Sequence, residues 1–156
     1  RMKSVRLGIN VASCDGLPSV VVFGKGKREV DQLNSKLSGV IWDEALAGKS
    51  IYASTTKFAD LKIVVGATTK TGILVVEPDV YGTKGRLIKM IDASVSKREL
   101  KRDLVDVADT FNRRSKTHGL HVRNGRRDGK TWKTEVAVPD RVRKRGRAAP
   151  RRRRKE

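Results

Sequence analysis

The sequence predicts a fold of the α/β or α+β class, a small mixed sheet of five to seven short strands with two or three helices, plus a disordered basic C-terminal arm. Three observations predict it. Short apolar runs are separated by turns that contain glycine or proline, as in chains of short strands. Two segments instead carry apolar residues at helical spacing. The C-terminal residues are rich in arginine and poor in apolar side chains, so they cannot build a core.

The first half of the chain predicts strands around one helical segment. Apolar and polar residues alternate over 5–12, which predicts a half-buried strand, and the continuous apolar run 19–23 predicts a strand covered on both faces. Residues 27–47 have helical spacing with a break at Gly39, which predicts one long helix or two short ones. Further strands are expected at 50–54, 61–65 and 72–77, the last two as an antiparallel hairpin.

The second half begins with a short helix expected at 84–90. Ser96 and Glu99 have the spacing of a capping box, in which each side chain binds the other residue's backbone N–H. A helix of about four turns is therefore expected from there, with an apolar stripe from Leu100 to Phe111 and an end near Gly119. Residues 120–123 and 130–138 alternate again and predict a final hairpin with a basic tip.

The charge distribution divides the chain. Lys and Arg number 36 against 17 Asp and Glu, a net charge of +19, and 14 of those 19 charges follow residue 112. Pro139 ends the last predicted strand, and Gly146 and Pro150 disfavour a continuous helix beyond it. We expect one folded domain at 1–138 that ends in the basic hairpin 119–138, followed by an arginine-rich arm at 139–156.

This localised positive charge predicts nucleic acid as the partner. Arginine binds phosphate through two parallel hydrogen bonds and stays charged at any relevant pH. The predicted binding residues lie in the hairpin and in the arm: Arg123, Arg126, Arg127, Lys130, Lys133, Arg141, Arg143, Lys144, Arg145, Arg147, Arg151, Arg152, Arg153, Arg154 and Lys155. Such contacts depend little on base sequence, and the choice between RNA and DNA stays open.

The function this predicts is a non-enzymatic, structural nucleic-acid-binding protein of a ribonucleoprotein, a virion or another genome-packaging particle. A compact domain with a terminal arginine arm is a composition shared by viral coat and core proteins, ribosomal proteins and chromatin-like proteins, and composition does not select among them. A homo-oligomer or a larger assembly stays open, and so does the role of the folded residues 1–112.

Two alternatives remain. One is a small metal-dependent nuclease or toxin domain, for which the candidate acids are Asp15, Asp60, Glu77 and Asp79. Whether these acids converge on a metal is not readable from their spacing, so no catalytic residue, metal site or cofactor is predicted. The other is an assembly protein whose basic arm binds an acidic partner.

Composition also limits the function classes. No apolar stretch approaches the roughly 18 residues of a membrane span, and no secretory signal pattern is recognisable. We therefore expect no membrane partner and a cytoplasmic, nuclear or particle location. Cys14 is the one cysteine, which excludes a disulfide framework within the chain. The segment 24–27 lacks the full spacing of a nucleotide-binding loop, although a phosphate contact there stays open.

Overall fold

The computed structural model describes residues 2, 4–111 and 118–130. In chain order its elements are α1 (Val5–Asp15), β1 (Ser19–Phe23), α2 (Lys27–Ser38), β2 (Ile51–Thr55), a 3₁₀ turn (Phe58–Leu61), β3 (Val64–Val65), β4 (Gly72–Pro78), β5 (Gly85–Asp92), α3 (Lys97–Thr110) and α4 (His118–Arg127). The predicted class, a small mixed sheet with helices, is confirmed. The described residues contain five strands and four α-helices, one helix more than expected.

The strands form one sheet in the order β2-β1-β4-β5-β3. β1 pairs in parallel with β2 and antiparallel with β4, β4 pairs antiparallel with β5, and the short β3 pairs in parallel with β5. All five residues of β1 are buried, as the continuous apolar run predicts for a central strand covered on both faces.

Helices cover both faces of this sheet. On one face α2 and α3 enclose a core that includes Val20, Val22, Val30, Leu33, Leu37, Ile73, Val75, Leu100 and Leu104. On the other face α1 and the 3₁₀ turn enclose a second core that includes Val5, Ile9, Val21, Phe23, Leu61, Leu74 and Val76. Alternate residues of β1 and β4 therefore point into different cores, which accounts for their aliphatic composition.

The strand predicted at 5–12 is wrong, because these residues belong to α1. The Ser4 hydroxyl accepts a hydrogen bond from the Leu7 N–H at 3.1 Å, and Gly16 ends the helix in the left-handed conformation. Val5, Ile9 and Ala12 are fully buried and share one helical face. Val5 and Ile9 fit both patterns, but the buried face continues to Ala12, whereas Leu7 and Val11 of the predicted alternation are only partly buried.

The helix predicted at 84–90 is also wrong, since this segment is β5. A short apolar run is compatible with one turn of helix and with a strand. Residues 85–92 form a strand because they pair with β4 along its whole length. The hairpin predicted between 61–65 and 72–77 is not formed, because β4 pairs with β1 and β5 instead. α2 ends at Ser38, and turns follow Gly39 rather than a second helix.

The basic hairpin at 119–138 is contradicted in its first strand, because residues 118–127 form α4. Its second strand, from 131 onwards, lies outside the described residues, as does the arm at 139–156. Arg126 and Arg127 in the last turn of α4 interact favourably with the helix dipole, and Gly129 follows with a positive φ of 66°.

The predicted start of α3 is confirmed. The Ser96 hydroxyl accepts a hydrogen bond from the Glu99 N–H, and the Glu99 carboxylate accepts one from the Ser96 N–H. These contacts also lower the pKa of Glu99, with the bond from the Ser96 hydroxyl as the largest cause. Helix α3 ends at Thr110, before the predicted Gly119.

Candidate nucleic-acid interface

The predicted binding residues that the structure describes lie at the C-terminal end of α4. Arg123, Arg126, Arg127 and Lys130 are all exposed. Arg123 lies three and four residues before Arg126 and Arg127 on α4, which places these three arginines on one side of the helix. Lys130 follows just beyond the helix end. The corrected secondary structure therefore replaces a cationic hairpin tip with a cationic helix stripe.

Helix α4 and the turn after it, residues 118–130, contain one acidic residue, Asp128. The Nε of Arg127 lies 3.2 Å from an Asp128 carboxylate oxygen. Arg123 and Arg126 have no carboxylate within ion-pair distance among the residues that the structure describes. Two guanidinium groups are therefore unpaired within this part of the chain, in the state that an incoming phosphate requires.

A contact from the turn between β4 and β5 holds α4 in place. The Tyr81 hydroxyl donates a hydrogen bond to the Asp128 carboxylate. This bond raises the pKa of Tyr81 and, together with Arg127, lowers the pKa of Asp128. Asp128 thus stays ionised to lower pH than usual and keeps one side of the cationic stripe attached to the domain.

The turn that carries Tyr81 is itself anchored on α1. The Asp79 carboxylate accepts hydrogen bonds from the Thr83 N–H and hydroxyl, both at 2.8 Å, and the Ser13 hydroxyl donates to the Asp79 carbonyl at 2.7 Å. Gly82 has a φ of 66°, and a Cβ there would lie 2.6 Å from the Asn10 Cα. Only glycine fits this close approach between turn and helix.

A shallow groove of about 520 Å³ runs beside this turn. Its lining includes two exposed cations, Lys84 and Arg86, and two exposed valines, Val65 and Val80. Arg86 is paired with Glu77 at 2.7 Å. The groove contributes little positive charge for a phosphate, because Glu77 already neutralises one of its two cations.

Three of the four acids proposed for a nuclease have other partners, and the fourth, Asp15, is exposed at the end of α1. Asp60 accepts a hydrogen bond from the Thr55 hydroxyl at 2.5 Å, Glu77 pairs with Arg86, and Asp79 caps its own turn. Within residues 2, 4–111 and 118–130, no group of three His, Cys, Asp or Glu side chains is arranged to hold a metal ion. No observation therefore favours the metal-dependent alternative.

At the segment 24–27, beside the start of α2, the carboxylate of Glu29 already occupies the place that a bound phosphate would take. The Glu29 carboxylate accepts hydrogen bonds from the Lys25 N–H at 2.8 Å and from the Thr71 hydroxyl at 3.0 Å. A phosphate that binds the Lys25 N–H would have to displace the Glu29 carboxylate. The structure therefore gives no support to the phosphate contact at 24–27 that the sequence left open.

The remaining predicted binding residues, Lys133 and the ten cations of the arm from Arg141 to Lys155, lie outside the described residues. Among the residues that are described, no helix is long and apolar enough to cross a membrane.

Sequence reasoning missed one residue of interest, Trp42. Its side chain is 82% exposed, the highest value among the large apolar residues that the structure describes. The signal was present, because Trp42 is the large apolar residue of 27–47 that does not fit the helical stripe.

No protein-family model, no curated protein and no solved structure matches the chain. The fold and the site together define a domain with a mixed five-stranded sheet, helices on both faces and a basic helix that contacts α1. Any function assigned to it depends on the chain's own residues.

Proposed function

We propose that the chain is a non-enzymatic nucleic-acid-binding protein, a structural component of a ribonucleoprotein or of a genome-packaging particle. The observation that carries the proposal is the exposed cationic stripe of α4, with Asp128 as its single internal carboxylate. These cations neutralise backbone phosphates of RNA or DNA. Because phosphates are the same at every base, such binding depends little on sequence.

The sequence beyond Lys130 supports the same proposal. Residues 131–156 add eleven basic and only three acidic side chains, directly after the stripe. Eight of the eleven are arginines of the arm. Stripe and arm are therefore two basic segments of the chain, separated by residues 134–140, which contain two acids and no cation. The number of phosphates contacted sets the salt dependence of binding.

The test compares two variants that lose equal charge on opposite faces of the sheet. Arg123→Gln with Arg126→Gln removes the two guanidinium groups of the stripe that have no carboxylate within ion-pair distance among the described residues. Lys27→Gln with Arg28→Gln, at the exposed start of α2, is the matched control. A plot of log affinity against log salt on duplex DNA has a negative slope. We expect the magnitude of this slope to become smaller by about 0.9 per lost phosphate contact, and in the first variant only. Equal slopes in both variants would contradict a role for the stripe.

A full-length chain with the eight arm arginines changed to glutamine tests the arm in the same assay. The magnitude of the slope is expected to fall by as much as roughly 7 on duplex if each arginine contacts a phosphate.

Incubation of the unchanged protein with RNA and plasmid, with Mg²⁺ or chelator, separates this proposal from the nuclease alternative. Metal-dependent cleavage lost in Asp79→Ala would favour the nuclease. Arm-dependent binding to an acidic protein, without any to nucleic acid, would favour the assembly alternative.

A further inference from the structure

Trp42 lies on the face of the sheet opposite to α4. Its neighbours Val40 and Leu46 are 6% and 1% exposed and belong to the core beneath α2 and α3. Trp42 itself points away from that core, with 82% of its surface accessible. A rigidly anchored segment therefore presents an indole ring to solvent.

Hydrogen bonds hold the backbone on both sides of the ring. The Asp43 N–H donates to the Val40 carbonyl at 3.1 Å, and the Leu46 and Ala47 N–H groups donate to the Asp43 carbonyl, both at 2.8 Å. The Asp43 carboxylate accepts a further bond from the Ala45 N–H at 3.1 Å. The backbone that carries the ring therefore has little conformational freedom left to lose when a ligand binds.

Cations of α3 surround this segment. Lys101 pairs with Asp43, the residue next to Trp42, at 2.5 Å. The Lys97 ammonium lies 3.4 Å from the point where Gly39 would carry a Cβ. The first six residues of α3 contain four exposed cations and one acid, Glu99, whose carboxylate is held in the capping box. Arg102 lies 3.9 Å from Asp103, so that, among the described residues, Lys97 and Arg98 are the two of these cations without a carboxylate within ion-pair distance.

We infer that Trp42 is a stacking platform for an unpaired nucleobase, with the basic start of α3 binding the adjoining phosphates. The inference rests on the proposed function and names its substrate class, which is single-stranded nucleic acid. Exposed aromatic rings beside cations are how proteins bind single strands without sequence preference. A duplex keeps its bases stacked inside and offers this ring no partner.

A protein partner fits this surface less well. Among the residues that the structure describes, the other exposed large apolar residues lie on different elements: Phe58 on the 3₁₀ turn, Val65 on β3, Val80 in the turn after β4 and Ile88 on β5. Within this part of the chain, Trp42 is thus the one exposed large apolar residue of its segment, whereas protein interfaces bury a continuous apolar patch.

The first experiment uses the fluorescence of Trp42. The chain has two tryptophans, so Trp132→Phe leaves Trp42 as the single indole. Titration of this full-length variant with oligothymidylate is expected to quench its emission. A duplex and inorganic polyphosphate are expected not to, because neither offers a free base. Equal quenching by polyphosphate would overturn the inference.

The second experiment measures affinity for the same oligonucleotide. Trp42→Ala is expected to weaken single-strand binding by roughly 5- to 150-fold, the range typical for one lost base stack, with the salt slope unchanged. Trp42→Phe is expected to retain part of the affinity, and Trp132→Phe is the matched control. The exposed Trp42 side chain contributes little to folding, so the unfolding midpoints of Trp42→Ala and Trp42→Phe should agree with that of the unchanged protein.

The two proposals fail in different ways. If Trp42→Ala binds single strands as tightly as the unchanged protein does, and the α4 variant still loses salt dependence, the stacking platform is refuted and the proposed function stands. If the protein binds neither single strands nor duplex, both are refuted. A protein captured by the Trp42 surface while oligothymidylate leaves its fluorescence unchanged would also refute the stacking platform.

Discussion

At the scale of single residues, Tyr81 and Asp128 determine how the basic helix is attached to the domain. Their hydrogen bond stabilises the ionised form of Asp128, and Arg127 adds to this effect. A lowered pKa of a carboxyl group in the folded state stabilises the fold at pH values above the unfolded pKa. That contribution is lost as the pH falls through the lowered pKa, here below about pH 4.

We therefore predict that Tyr81→Phe raises the pKa of Asp128 towards its ordinary value of 3.8. The phenyl ring keeps the packing but removes the donor. Carboxyl titration followed by NMR measures the change directly. Tyr52→Phe, on β2, is the control and should leave Asp128 unchanged. Identical titration of Asp128 in all three proteins would contradict this attachment of α4.

At the scale of elements, the capping box shows where a local pattern decides the structure. The Ser96 hydroxyl binds the Glu99 N–H at 3.2 Å, one of the N–H groups that the first turn of a helix leaves without a partner. The bond is formed between residues three apart, so its pattern can be recognised without knowledge of the fold.

Ser96→Ala is predicted to lower the free energy of unfolding by about 1 kcal/mol, because the first turn of α3 loses its cap. Ser96→Asp should retain most of the stability, since a carboxylate accepts the same bond. Ser38→Ala is the control: its hydroxyl only donates to the Ser35 carbonyl within its own helix. Denaturant unfolding measures all three. A loss in Ser38→Ala equal to that in Ser96→Ala would show that the cap is not the cause.

The sequence predicted the mixed sheet, the buried strand β1 and the start of α3, because each has a local pattern. It did not predict α1 or β5, since short apolar runs fit a helix and a strand equally well. For α1 the missed local signal was the pair of capping residues, Ser4 before the helix and Gly16 after it. The alternation of apolar residues between them was interpreted as a strand instead. For β5 the deciding factor was pairing with β4, which no local pattern encodes.

The candidate site was predictable as a set of residues but not as an arrangement. Arg123 and Arg126 were identified from charge alone. The alternation of residues 120–123 predicted a strand in place of the helix that aligns them, and the Tyr81 contact joins residues that are 47 apart in the chain. Trp42 was missed for a related reason. Its exposure depends on how Val40 and Leu46 enter the core, and that is a property of the folded chain.

At the scale of the whole molecule, the sheet separates the two proposed contacts. α4 contacts α1 on one face, and Trp42 lies beside α3 on the other. A nucleic acid that uses both contacts must pass around the domain or come from two segments of a longer polymer. Either arrangement suits a structural component that organises a polymer better than it suits a protein that reads one short site.

This separation leads to a prediction of additivity. Substitutions at distant sites without shared partners change the free energy independently. The fold-losses in single-strand affinity from Trp42→Ala and from Arg123→Gln with Arg126→Gln should therefore multiply to within about twofold in the combined variant. The salt slope should change only through the arginines, because stacking displaces no counterions. Equilibrium binding over a range of salt measures both effects. A combined loss no larger than the greater single loss would show that the two surfaces do not bind one strand at the same time.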